Sequence, residues 1–275
     1  MQPATRGVLY TKIERAPVST RALADPTVAV PQIPVDDLNV ATNVDRVRRR
    51  TAALPDRVDV AVFPEYALTG FADDDRLGEV ALARSDATER LETIAARTGV
   101  AVVAGYAERG DDATYNAVAY VPPPDGTDGG TPGTDSGTPG ATGETVVYRK
   151  RHRWEGERGR VAPGSDRVVV ETPAGTTGLM TCYDLNFVEE SAWFAERAVD
   201  ALFVPGAWPA DHAANWRLLV RARALDGVRW VVGAGRTGTA GGGRAADEAT
   251  YAGGSLVARP DSAVAIELGR EETTL

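Results

Sequence analysis

From residue 27 onward the chain alternates short β-branched runs with longer amphipathic segments, and this rhythm constrains the fold more than any other feature. The runs are too short for helices, and the segments between them repeat apolar residues at helical spacing. Strands are expected at 27–30, 58–63, 100–104, 117–121, 168–171, 178–181, 201–204, 230–234 and 255–258. Helices are expected at 43–53, 86–98, 189–198 and 212–226, with Asn43 and Asp86 as polar starts. Strands interleaved with helices that cover them make an α/β protein.

With 275 residues, 43% of them hydrophobic, the chain can bury one large core, so 26–275 reads as a single domain. Residues 1–25 set Arg6, Lys12, Arg15 and Arg21 against Glu14 and Asp25 without periodicity, and read as a disordered N-terminal extension. Residues 122–143, PPPDGTDGGTPGTDSGTPGATG, have too few apolar groups to offset the entropy of ordering. They read as a flexible surface insertion joining two antiparallel strands, 114–121 and 144–148.

Several function classes are excluded at this level. A net charge of −9 without a lysine–arginine cluster works against nucleic acid as a partner. No run approaches the roughly 18 apolar residues of a membrane span, and no secretory leader pattern opens the chain, so a cytoplasmic protein is expected. One cysteine and two histidines make neither an internal disulfide nor a common zinc set, so no metal is expected.

Three residues at strand ends carry chemistry. Cys182 follows the run GLMT and enters a turn, the place where α/β proteins keep their sites. Glu65 follows DVAVFP, where Pro64 ends ladder pairing. Lys150 ends VVYRK in a chain whose only other lysine is Lys12, a choice that suits a compact ammonium rather than a guanidinium. A thiol nucleophile, a carboxylate base and an ammonium facing an oxyanion form a sufficient set for amide cleavage. Each residue alone also has a structural reading: a small core cysteine, a capping or loop glutamate, a solvated lysine. His152 and His212 are read as structural.

The blocks FPEYALTGF (63–71), YRKRHRW (148–154) and GLMTCYDLNF (178–187), in that order, resemble the three catalytic blocks of the nitrilase, or carbon-nitrogen hydrolase, superfamily. Flanking segments at 28–47, 154–164, 200–209, 215–226, 230–238 and 251–260 are similar as well. The resemblance implies a four-layer αββα sandwich with the site at one end of two sheets, and a homodimer or larger assembly built on the outer helices. It implies Glu65 as base, Lys150 as oxyanion residue, Cys182 as nucleophile and the Tyr183 N–H as second oxyanion donor. A second glutamate is placed at Glu157, with Glu155 as the alternative. Trp208 is a candidate pocket wall. Asn186 stands where relatives acting on dicarboxylic monoamides often carry arginine, which argues against a carboxylate-bearing substrate. Val188, the stretch 224–227 and Gly235 also depart from the pattern. The activity implied is hydrolysis of a small aliphatic amide, ω-amide or N-carbamoyl amine, without cofactor. The alternatives are a nitrilase, or a non-catalytic scaffold or partner subunit of the same fold.

Overall fold

The computed structural model describes residues 26–124, 143–240 and 250–274, so the extension at 1–25 and most of the insertion at 122–143 lie outside the described residues. The strands are β1 (Val28–Ala29), β2 (Pro31–Gln32), β3 (Val60–Val62), β4 (Leu82–Ala83), β5 (Ala101–Arg109), β6 (Thr114–Val121), β7 (Val146–Arg149), β8 (Val161–Ala162), β9 (Val168–Thr172), β10 (Gly175–Leu179), β11 (Ala201–Gly206), β12 (Trp230–Gly235), β13 (Leu256–Ala258), β14 (Val264–Glu267) and β15 (Thr273–Thr274). The α-helices are α1 (Val40–Ala52), α2 (Arg76–Val80), α3 (Arg84–Thr98), α4 (Val188–Glu196) and α5 (Ala213–Gly227).

Two large sheets, with β2 and β15 paired in a short third one, organise the described residues. One runs β1-β3-β5-β6-β7, with β4 beside β5 and β8 beside β6; the other runs β14-β13-β12-β11-β10-β9. Because successive strand residues point to opposite faces, each strand supplies two cores at once. In β3 and β5, Ala61, Val102 and Ala104 face α1 and α3 through Val47, Leu91 and Ile94. Their neighbours Val60, Val62, Ala101 and Val103 meet Leu179, Ala201, Phe203 and Val232 of the second sheet. On that sheet Leu202, Val204 and Val231 face Phe194, Trp216 and Val220 of α4 and α5. The result is helix, sheet, sheet, helix, the sandwich implied by the resemblance. Val188, Leu218 and Leu225 remain exposed on the outer helices α4 and α5, where the resemblance places subunit contacts.

Two helix starts differ from expectation by more than one residue. Asn39, not Asn43, caps α1, its side chain accepting from the Thr42 N–H. Asn43 is buried inside the helix, where its amide donates to the Asp36 carbonyl at 2.7 Å and accepts from the Asp36 N–H at 2.9 Å. Helix α3 begins at Arg84, ahead of Asp86, because β4 runs directly into it. The strands flanking the insertion, β6 and β7, pair antiparallel as expected. The short α2 and the edge strand β14 have no clear periodic signature and were not expected.

One close approach positions the first catalytic candidate. Beyond β3, Phe63 donates to the Val103 carbonyl, Gly105 to Pro64 and Leu68 back to Gly105, so the turn carrying Glu65 lies on β5. A Cβ on Gly105 would stand 2.5 Å from the Tyr66 nitrogen and 2.8 Å from the Glu65 Cα, both backbone atoms that cannot swing aside. Gly105→Ala should therefore push the Glu65 turn off the strand, lowering stability by about 1–3 kcal/mol and lowering turnover with it. Denaturant midpoints and steady-state rates check this; a variant with unchanged values of both would contradict the packing described.

Candidate active site

Three strand ends deliver three reactive groups to one place. Glu65 sits in the turn after β3, followed by Tyr66 in the left-handed region at φ 55°. Lys150 directly follows β7; its N–H donates to the Asn116 carbonyl and its carbonyl accepts from Gly164 N–H, both at 2.8 Å. Cys182 follows β10 and opens a 3-10 turn, Cys182–Asn186, at φ 46°. A left-handed non-glycine residue costs about 1–2 kcal/mol, and such strain tends to accumulate at functional sites, held by its surroundings. Here the sharp strand-to-turn passage lifts the thiol out of the sheet.

Lys150 is the hub. Its Nζ lies 2.8 Å from Glu65 Oε1 and 2.9 Å from Glu157 Oε2, and all three side chains are buried. Asn116, in the middle of β6, donates one amide proton to each glutamate at 2.7 Å. Burial alone would strip the lysine of its proton, but the charges of Glu157 and Glu65 overcome it and hold the ammonium well above its ordinary pKa.

The two glutamates are not equivalent. Glu157 accepts from Lys150, from Asn116, from the Tyr66 hydroxyl at 2.8 Å and from the Trp154 N–H at 2.8 Å. Four donors fill a carboxylate's acceptor sites. Burial pushes its pKa up, yet Lys150 and these hydrogen bonds win and hold it below the usual carboxylate range. Glu65 receives Lys150 and Asn116 on a single oxygen, Oε1. The Cys182 thiol is buried, and the Glu65 and Lys150 charges both act on it. Burial and the Glu65 charge push the thiol well above its ordinary pKa against the pull of Lys150, so the resting group is S–H beside a carboxylate.

A third carboxylate ties the Cys182 turn to the lysine. Asp184 is fully buried and accepts from the Tyr148 hydroxyl at 2.6 Å, the His152 N–H at 2.9 Å and the Thr181 N–H at 3.0 Å. Tyr148 and His152 flank Lys150 on either side, and Thr181 precedes Cys182. One side chain therefore fixes the lysine segment against the Cys182 turn.

The other expected residues fall as follows. Tyr183 is half-buried in the first residues of the 3-10 turn, next to the thiol. Glu155 is exposed while Glu157 meets the lysine. Asn186 is exposed, its amide donating to the Tyr183 carbonyl at 3.1 Å, away from the cluster. Trp208 is buried against Trp216 in the same apolar cluster as Cys182, and its Nε1 has no partner among the described residues. His152 stacks on Phe187 at 3.6 Å between ring centroids and meets Glu190 at 2.8 Å; His212 is exposed at the start of α5. Gly235 is explained by packing, since a Cβ there would lie 1.9 Å from the Gly253 carbonyl oxygen.

Sequence reading missed Asn116, Tyr66, Tyr148 and Asp184. Asn116 carried a signal, a polar amide in the otherwise buried half of TYNAVAYV. The others lie inside the catalytic blocks, but which partner each meets is set by tertiary structure. Tyr251, under Arg236 with the guanidinium 4.0 Å from its ring centroid, also lies near the cluster; burial pushes its hydroxyl up to about 12.

A family model described as carbon-nitrogen hydrolase matches residues 27–275. The chain is 28% identical over 237 residues to an (R)-stereoselective amidase from Pseudomonas sp, covering 86% of this chain and 78% of that protein. It is 29% identical over 203 residues to the omega-amidase NIT2 of Xenopus tropicalis, covering 69% of this chain and 65% of that one. Among solved structures, an amidase from Nesterenkonia sp. superimposes with a TM-score of 0.77 at 22% identity, over 92% of this chain and 90% of that chain.

Asp184 generates a pH prediction. Burial pushes its carboxyl from an ordinary 3.8 up to about 6, against the Tyr148 hydroxyl, the Lys150 charge and the His152 and Thr181 N–H groups. A raised carboxyl pKa means that the folded chain binds this proton more tightly than the unfolded one. Its contribution to stability is then complete below about pH 4 and is lost as pH rises through 6. Acidification through 6 therefore does not unfold the protein through this group; it costs the tie an acceptor. Turnover should fall as pH drops through about 6 with no matching fall in melting temperature. Asp184→Asn should lose that acid limb and run slower at every pH, and a variant with the limb intact at full rate would contradict the tie.

Proposed function

The chain belongs to the carbon-nitrogen hydrolase family, and from that premise we propose that it hydrolyses a small amide through a thioester on Cys182, with Glu65 as base and Lys150 as oxyanion donor. The observation that carries this reading is the inequality of the two glutamates around one lysine. Glu157 is saturated by four donors and holds the ammonium in place. Glu65 uses one oxygen on Lys150 and Asn116 and its charge acts on the thiol, which favours it as the carboxylate that takes the proton from sulfur.

The steps follow from the protonation states. As the sulfur attacks the amide carbon, its proton passes to Glu65, so a thiolate need not form in advance. Negative charge develops on the carbonyl oxygen. Lys150 has two of its three protons committed to glutamates, leaving the third for that oxygen, with the Tyr183 N–H as a second donor. Collapse breaks the C–N bond, the leaving nitrogen takes the proton from Glu65, and a thioester remains. Glu65 then removes a proton from water, the hydroxide adds to the thioester, and the acid and free thiol are regenerated.

Small aliphatic amides, ω-amides and N-carbamoyl amines are the substrates favoured. Purified protein incubated with a panel of these and of nitriles should release ammonia from at least one amide or carbamoyl compound, and Cys182→Ala should abolish the release. Turnover of nitriles alone, or release undiminished in Cys182→Ala, would overturn the proposal.

A further inference from the structure

A cleft of about 390 Å³ is lined by Arg151, His152, Arg153, Arg158, Pro163, Tyr183 and Phe187. That volume suits a small molecule. Each element feeding the cluster also feeds the cleft. Arg151 to Arg153 follow Lys150, Arg158 follows Glu157, and Tyr183 follows Cys182. The lining carries three arginines and no acid, in a chain whose net charge is −9.

Three buried acids of the surrounding elements are already engaged. Glu190 is buried beneath the cleft and receives Arg151 at 3.1 Å, His152 at 2.8 Å and Arg167 at 2.8 Å. Glu157 is matched by Lys150, and Asp184 by Tyr148 and two backbone N–H groups. Arg151 is occupied by Glu190 and the Ser165 carbonyl. Arg153 makes one long contact, 3.3 Å, to the Val161 carbonyl. The Arg158 guanidinium is exposed and has no partner among the described residues. Two cations with unused donors thus line a cleft that also takes in Tyr183, the residue after Cys182.

We propose that this cleft is a subsite for an oxyanion on the substrate, a carboxylate or phosphate a few bonds from the scissile amide, held by Arg153 and Arg158. Guanidinium groups bind such anions through charge-assisted, often bidentate, hydrogen bonds. The inference rests on the amide-cleaving reading and adds the substrate's charge to it. It also revises the expectation drawn from Asn186. That residue points its amide at the Tyr183 carbonyl, and the cations arrive from the loop between Lys150 and β8 instead.

The test compares two amides of equal carbon number, glutaric acid monoamide and pentanamide, by kcat/KM at low and high salt. The wild type should favour the anionic amide by about tenfold or more, and the ratio should shrink as salt rises. In the Arg153→Ala/Arg158→Ala variant and in Arg158→Glu the ratio should collapse towards one or invert. Equal rates in the wild type, or a ratio that survives both variants, would overturn the subsite. A second measurement separates this from failure of the proposed reaction: glutarate or inorganic phosphate should slow iodoacetamide alkylation of Cys182 in the wild type and not in the double variant. Protection by glutarate alone identifies a carboxylate site, and protection by both identifies a general oxyanion site. Failure to turn over any amide, with that protection intact, would sink the hydrolytic reading and leave the subsite standing. Absence of protection by either anion would overturn the subsite.

Discussion

A single buried ammonium organises this molecule's chemistry. An isolated charge in the interior would be several kcal/mol unfavourable, and Lys150 is buried only because Glu65 and Glu157 meet it at 2.8 and 2.9 Å and Asn116 bridges the two carboxylates. Those four side chains come from four separate places: the turn after β3, the middle of β6, the end of β7 and the short 3-10 turn at 155–157. The sandwich must therefore be complete before the charge is satisfied, and the site is a consequence of the whole fold rather than of one motif.

The same interaction underlies the proton movements of the proposed reaction. Glu157 is held as an anion by four donors and Lys150 is held as a cation by its neighbours, which leaves the thiol and Glu65 as the pair between which the proposed reaction moves a proton. Asp184 extends this arrangement to the Cys182 turn, so that a shift in the lysine segment is felt at Cys182 through Tyr148, His152 and Thr181. Rigid support of this kind keeps reacting groups in place without reorganisation during the reaction.

Much of this was legible in the sequence, for identifiable reasons. Strands whose two faces are both buried read as continuous apolar runs, and the nine expected strands and four expected helices all exist with shifted ends. Asn43 was misread as a cap because polarity at a helix start is visible in sequence, whereas its bond to the Asp36 backbone is not. Glu65, Lys150 and Cys182 stood out as reactive residue types at strand ends. Glu155 and Glu157 could not be separated until one was seen on the lysine and the other in solvent. Asn116 and Asp184 contact residues distant in the chain, and no local pattern encodes a contact across 51 or 36 positions.

The central claim is that Lys150 neutralises two buried carboxylates, and Lys150→Met tests it most directly, through urea denaturation of the variant and the wild type at pH 5 and pH 8. With the ammonium gone, Glu65 and Glu157 share a buried site and hold a proton more tightly than the unfolded chain does, so stability is kept at low pH and lost as pH rises. The account predicts a loss of about 3–5 kcal/mol at pH 8 and a clearly smaller loss at pH 5. A variant as stable as the wild type at both pH values would contradict it.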